Sequence, residues 1–80
     1  MTVAAEGTVL PRDGQFLADV AMEVTAARAR FGVQSQADLI LAATEELGEV
    51  AKAELDGEPA TRIRAEAVQL AAMALRIAEG

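Results

Sequence analysis

A glutamate occupies a position where the helical pattern of the chain calls for an apolar side chain. Residues three or four apart lie on the same face of a helix, and Glu46 interrupts one such line. The other members of the line are all apolar: Leu39, Ala43, Val50 and Ala53. An unpaired carboxylate among apolar groups is costly and tends to take up a proton. The position of Glu46 therefore indicates a polar site on this helix face.

The same irregularity occurs further along the chain, at Glu66. The line that Glu66 interrupts is again apolar: Ile63, Leu70, Met73 and Ile77. Each of these glutamates is followed three positions later by a second oxygen donor, Glu49 in the first case and Gln69 in the second. Two helices thus each present a polar pair on the face that should pack.

Carboxylates on facing helices become tolerable when a hard cation binds between them, as in di-metal carboxylate bundles. The chain has no cysteine and no histidine, so softer metals lack their preferred ligands. The predicted cofactor is Mg²⁺, with Mn²⁺ as the alternative. The same composition excludes disulfides, cysteine nucleophiles and histidine bases. The candidate metal ligands are Glu46, Glu49, Glu66 and Gln69.

The competing interpretation is an ordinary solvated helix face. Glutamate favours helices, and two glutamates followed by a third one turn later are common on exposed surfaces. Three acidic residues fit this interpretation well: Glu45, Glu54 and Glu58. Salt bridges would also satisfy Glu46 and Glu66, although such pairs contribute little when exposed. The cations within reach are Lys52, Arg62 and Arg64.

Three helices must position these residues, and the first is expected between an N-cap at Asp13 and about Phe31. Its apolar residues recur every three or four positions: Phe16, Leu17, Val20, Val24, Ala27 and Phe31. Gly32 is a natural left-handed stop. Residues 1–12 show no such period, which predicts a flexible N-terminal segment before a helical domain of residues 13–80.

The second helix is predicted to begin after Ser35, with Asp38 as a short variant of the capping box, and to end at Gly57. Glu58-Pro59 opens a third helix, because proline is tolerated in a first turn. That helix is expected to continue to about Ala78. The fold class is therefore all-α, with three helices.

The third helix is apolar around most of its circumference, and such a helix must be covered on several sides. Its apolar residues include Val68, Leu70, Ala71, Ala72, Met73, Ala74, Leu75, Ile77 and Ala78. Two other helices of a chain this small cover only part of that surface. We therefore expect a homo-oligomeric helical bundle, a dimer or tetramer, with two-fold symmetry.

Charge and hydropathy narrow the classes of partner. The net charge of −6 argues against nucleic-acid binding by phosphate neutralisation. The longest apolar stretch, residues 70–75, is far too short to cross a bilayer, and no secretory signal is visible. The expected location is the cytoplasm, with no membrane partner.

The spacing of the candidate ligands resembles the EExxE…ExxD signature of the MazG-like nucleotide pyrophosphohydrolases. Glu45-Glu46-x-x-Glu49 is followed, after residues 50–65, by Glu66-x-x-Gln69. The segments around these motifs, and residues 27–34 upstream, are similar to the small phage- and bacteria-type members. The resemblance covers about residues 14–79.

This likeness implies an all-α dimer or tetramer that cleaves a nucleoside triphosphate to the monophosphate and pyrophosphate with Mg²⁺. Glu46, Glu49 and Glu66 would bind the metal, and Glu45 would be the catalytic base or a group that supports the ligands. Family members carry basic phosphate contacts, for which the candidates here are Lys52, Arg62, Arg64 and Arg76.

Two departures from the family pattern leave a second function open. Gln69 stands where the signature has aspartate, and larger members continue into a fourth helix with basic phosphate contacts. The alternative is a catalytically impaired MazG-like protein that binds nucleotides, or that serves only as a helical oligomerisation or interaction module.

Overall fold

The structure, a computed structural model, describes the backbone of residues 6–79 and the side chains of residues 14–79. Over this range the chain forms three helices and no strand. They are α1 (Glu6–Phe31), α2 (Gln36–Leu55) and α3 (Ala60–Glu79). The predicted all-α class with three helices is confirmed.

The turns between the helices follow the predicted local chemistry. Gly32 and Gly57 adopt positive φ angles of 67° and 69°, the left-handed conformation that glycine accepts without a Cβ clash. Ser35 caps α2, because its Oγ accepts a hydrogen bond of 3.1 Å from the backbone N–H of Asp38. The carbonyl of Pro59 accepts the N–H of Arg62 at 2.9 Å in the first turn of α3.

Helix α1 begins earlier than the sequence indicated. It starts at Glu6, so the prediction of an N-cap at Asp13 was wrong, and the predicted flexible segment is helical from Glu6 onward. Pro11 lies near this end, where its missing amide hydrogen removes one helical hydrogen bond without ending the helix. Residues 1–5, the rest of the predicted flexible segment, lie outside the described residues.

Helix α3 is the centre of the fold, since it packs against both α1 and α2. Within the described residues, α1 and α2 do not pack against each other. Helices α1 and α3 pack through a cluster of buried residues: Val20, Val24, Val68 and Ala72. Ala72 is only 2% exposed. On α2, Leu39 and Ala53 are buried. The circumferential apolar surface of α3 is thus covered in part from within the chain: Val68 and Ala72 are buried, whereas Leu75 is 39% exposed.

Several large apolar side chains remain exposed on the two outer helices. On α2, Ile40, Leu47 and Leu55 lie on one face together with Thr44 and Ala51, and we call these five residues the outer stripe. Leu41, which is 64% exposed, lies outside this stripe. On α1, Leu17 and Phe31 of the predicted core stripe are also exposed. Among the described residues, no helix is long and apolar enough to cross a membrane.

Candidate metal centre between helices α2 and α3

Three of the four predicted metal ligands meet at the interface between α2 and α3. Glu46 and Glu49 come from successive turns of α2, and Glu66 comes from α3. One carboxylate oxygen of each lies within 4.8 Å of those of the other two. Mg²⁺ binds oxygen at about 2.1 Å, so small side-chain rotations would bring all three oxygens onto one ion.

The three carboxylates differ in burial and in pairing. Glu66 is buried, with 8% of its surface exposed, but it forms a salt bridge of 3.0 Å with Arg62. Glu49 is exposed, whereas Glu46 is half-buried. The Oε2 atom of Glu46 is buried without a hydrogen-bond partner. Within the cluster, this buried oxygen is the one without a hydrogen-bond partner. A bound cation would provide a partner for it.

The surroundings of Glu46 disfavour its ionised form. Burial is the main cause, and with a hydrogen bond to the side chain of Glu66 it raises the pKa of Glu46 to about 7. Three negative charges act in the same direction: those of Glu49, Glu66 and Glu23. Burial and the neighbouring carboxylates thus act in the same direction, against ionisation of Glu46.

The raised pKa of Glu46 predicts that the metal-free protein loses stability as pH increases. Because the folded-state pKa of about 7 exceeds the ordinary glutamate pKa of 4.5, the native state binds the proton more tightly than the unfolded chain does. The stabilisation that comes from the proton on Glu46 is complete below pH 4.5 and is lost as the pH rises through 7. The expected loss is on the order of 2 kcal/mol, measured by urea unfolding in chelator at pH 5 and pH 8.

Glu46→Gln should remove this part of the pH dependence, because the amide does not titrate. The control is Glu54→Gln, which makes the same change of charge on the exposed side of α2. An unchanged difference between pH 5 and pH 8 in the Glu46→Gln variant would assign the pH dependence to other groups.

The structure places the two remaining acid and amide candidates outside this cluster. Glu45 is exposed on α2 and is not one of the three carboxylates that converge. Gln69 is half-buried on α3, one turn after Glu66, and lines a cleft toward α1 with Asp19, Glu23 and Arg64.

Three of the four candidate phosphate-binding cations, all except Arg76, are paired with carboxylates. Lys52 bonds Asp56 within α2, and Arg62 bonds Glu66. These two cations line a pocket of about 200 Å³ together with Glu49 and Glu66. The structure therefore places Lys52 and Arg62 beside the carboxylate cluster.

Arg64 lies on another side of α3. It forms a salt bridge of 2.9 Å with Asp19 of α1, and its guanidinium carbon lies 5.4 Å from the ring centroid of Phe16. Hydrogen bonds from Gln15 and Arg64 lower the pKa of Asp19. Arg64 thus joins α3 to α1, and it does not line the pocket beside the carboxylate cluster.

One acidic residue near the cluster was not predicted from the sequence. Glu23 of α1 lies close enough for its charge to raise the pKa of Glu46, and its side chain is 19% exposed. The sequence pattern could have indicated Glu23, because this residue falls between Val20 and Ala27 on the apolar face of α1. Glu46 and Glu66 interrupt their own helix faces in the same way.

Comparison with known proteins does not assign the chain to a family. No family model matches it, and neither a curated protein nor a solved structure does so. The class that the fold and the site define is a three-helix chain with carboxylates converging between α2 and α3.

Proposed function

We propose that this chain is a MazG-like nucleotide pyrophosphohydrolase that uses Mg²⁺ to cleave a nucleoside triphosphate into the monophosphate and pyrophosphate. The observation that carries the proposal is the buried, unpartnered Oε2 of Glu46 within a cluster of three converging carboxylates. A hard cation would satisfy this oxygen and would offset both the burial and the carboxylate repulsion that raise the pKa of Glu46.

Glu46, Glu49 and Glu66 would hold the ion, whose chemistry is to offset phosphate charge and to lower the pKa of a water molecule. Glu49 is the exposed member of the three and lines the adjoining pocket of about 200 Å³. All residues that line the pocket, except the buried Ala53 and Glu66, are exposed. A triphosphate would therefore approach the cluster from the Glu49 side.

Two cations are positioned to orient the phosphates. Arg62 already forms a salt bridge with Glu66, and a guanidinium has five N–H donors, so it can bind a phosphate oxygen while keeping that salt bridge. Lys52 would exchange its exposed partner Asp56 for a phosphate at little cost, because exposed ion pairs are weak. The exposed carboxylate of Glu45 would rotate toward the bound nucleotide and orient the attacking water.

A second candidate function is nucleotide binding without hydrolysis. It is favoured by the salt bridge between Arg62 and Glu66, which neutralises one proposed ligand without a metal, and by the neutral Gln69. Such a protein would bind the phosphates through Lys52 and Arg62 alone.

The deciding experiment incubates the purified chain with a panel of nucleoside triphosphates in Mg²⁺ or Mn²⁺. Equal amounts of monophosphate and pyrophosphate are expected, and a chelator should stop their formation. Glu46→Gln should abolish turnover, whereas the exposed Glu54→Gln should retain it. Nucleotide binding by calorimetry without pyrophosphate release would select the second function. Absence of both binding and release would exclude both functions.

We also propose that two copies of the chain associate through the outer stripe of α2. The stripe carries no charge along its length, and Leu47 and Leu55 are 56% and 86% exposed. An exposed apolar patch of this kind is typical of an association surface. Two copies related by a two-fold axis would bring the same stripe together without like-charge repulsion.

Helix α3 is less suited to that interface than the sequence indicated, because α1 and α2 cover it from two sides. Sedimentation should give a dimer or tetramer, and Leu47→Glu should shift the chain to the monomer. Met22→Glu is the control, since Met22 is an apolar residue of α1 that is even more exposed than Leu47. A wild-type monomer at micromolar concentration would contradict the proposal.

A further inference from the structure

Arg76 is a buried cation for which the described residues provide no anion. It lies in the last turn of α3, and only 5% of its surface is exposed. Every other cation whose side chain is described forms an ion pair with a carboxylate: Arg28, Arg30, Lys52, Arg62 and Arg64. Among these residues, the most deeply buried positive charge is thus the one that lacks a counter-charge.

The hydrogen bond that Arg76 forms is to a neutral group. Its Nη2 donates to the side-chain oxygen of Gln34 at 2.7 Å. A guanidinium has five N–H donors, and one amide oxygen supplies no net negative charge. Burying a cation without an anion is costly. The carbonyls at the nearby helix ends offset part of this cost, since each helix C-terminus carries about half a negative charge.

Arg76 lines a pocket with a second arginine. The pocket has a volume of about 270 Å³ and lies where α1 ends, α2 begins and α3 ends. Its lining is Arg28, Gly32, Val33, Gln34, Leu39 and Arg76. Arg28 is exposed and pairs with Glu79, so its remaining donors stay available at the mouth. No acidic side chain lines this pocket in the described part of the chain.

We infer that this pocket binds a phosphate-type oxyanion, held by Arg76 and Arg28. Arginine forms bidentate, charge-assisted hydrogen bonds with such groups. The site is separate from the carboxylate cluster, because the two pockets share no lining residue. Arg76 also lies ten residues beyond Glu66 on the same helix, which is roughly 15 Å at 1.5 Å per residue.

The test follows the amide resonances of residues 32–34 by NMR during a titration with inorganic phosphate at constant ionic strength. Chelator is present throughout, so that the carboxylate cluster does not contribute through a metal. Saturable shifts are expected in the wild type. Arg28→Gln should weaken the affinity roughly tenfold, the effect of losing one charged hydrogen bond, and Arg76→Gln should abolish saturation.

The matched control is Arg30→Gln, which removes an exposed arginine from the same turn of α1 but not from the pocket lining. If Arg76→Gln does not fold, the comparison of Arg28→Gln with Arg30→Gln tests whether the pocket binds phosphate. The absence of saturable shifts in the wild type would overturn the inference. Equal weakening by Arg28→Gln and Arg30→Gln would also overturn it, because it would indicate general charge attraction.

A parallel titration with adenosine monophosphate identifies the source of the anion. Saturation by either probe supports the site. Tighter binding of the monophosphate would show that the pocket takes the phosphate group of a larger ligand, and equal affinities would show that the free anion suffices. Failure of both probes to saturate would overturn the site without bearing on pyrophosphohydrolysis.

Discussion

Glu46→Gln is expected to change the stability of the protein in opposite directions with and without Mg²⁺. In chelator at pH 8 the variant should be more stable than the wild type, because it removes a half-buried carboxylate that is ionised at this pH although its surroundings raise its pKa to about 7. In excess Mg²⁺ the wild type should gain roughly 2.7 kcal/mol at a hundred times the dissociation constant. The variant should gain little, since it has lost a charged ligand.

This reversal separates a metal site from a simple buried charge. A carboxylate that is merely buried predicts the gain in chelator but no effect of Mg²⁺ on either protein. A merely structural glutamate predicts that Glu46→Gln is less stable under both conditions. Thermal or urea unfolding of the wild type, Glu46→Gln and the exposed control Glu54→Gln distinguishes these cases. If Mg²⁺ stabilises all three equally, its effect is non-specific.

Glu46 is a sharper probe than Glu66, although Glu66 is the more buried of the two. Glu66 has a cationic partner in Arg62 at 3.0 Å, so its removal would also leave that arginine unpaired and would mix two effects. Glu46 has no such partner, and its Oε2 is unsatisfied. The salt bridge predicted as a competing explanation therefore applies to Glu66 and not to Glu46.

Local sequence signals predicted the turns and the helix faces that carry the carboxylates. The N-cap depends on the hydroxyl of Ser35, and the two turns depend on the left-handed backbone of Gly32 and Gly57. These are properties of single residue types, so the sequence alone predicts them. Glu46 and Glu66 were detected because each interrupts an apolar line. The start of α1 was missed, since residues 6–12 lack the apolar period by which a helix is recognised.

What the pattern could not supply was the identity of each neighbour. Helical periodicity assigns a residue to a face, but not to the helix that the face meets. The charge of Glu23 acts on Glu46 across two helices, and Arg76 is buried beside Gln34, which precedes α2. Both relations depend on how the three helices are arranged. The central position of α3 likewise follows from its packing against both α1 and α2. Periodicity showed only that the apolar surface of α3 must contact other helices.

Glu23 bears on the main departure from the MazG-like signature. Gln69 lines a cleft with Glu23, and Glu23 adds negative charge near Glu46. The carboxylate that the signature places on α3 at position 69 is therefore absent, while a carboxylate on α1 contributes charge to the same region. A fourth negative charge close to the cluster would strengthen the attraction for a divalent cation.

Introducing an acidic side chain at position 69 should strengthen metal binding. Gln69→Asp adds a negative charge one helical turn beyond Glu66, and a charge near the cluster strengthens the attraction for a divalent cation even without contacting it. We expect Mg²⁺ affinity to increase roughly tenfold, since about 1.4 kcal/mol corresponds to one decade. The metal-free protein should become less stable, because the new carboxylate adds to those of Glu23, Glu46 and Glu66.

Gln69→Asn is the matched control, because it has the shorter side chain of the aspartate variant without its charge. Calorimetric titration of Mg²⁺ into both variants, with unfolding measured in chelator, isolates the contribution of charge. Tighter binding and lower metal-free stability of Gln69→Asp relative to Gln69→Asn would place position 69 at the metal. Equal affinities and equal stabilities would instead show that Gln69 belongs to the cleft toward α1 and has no part in metal binding.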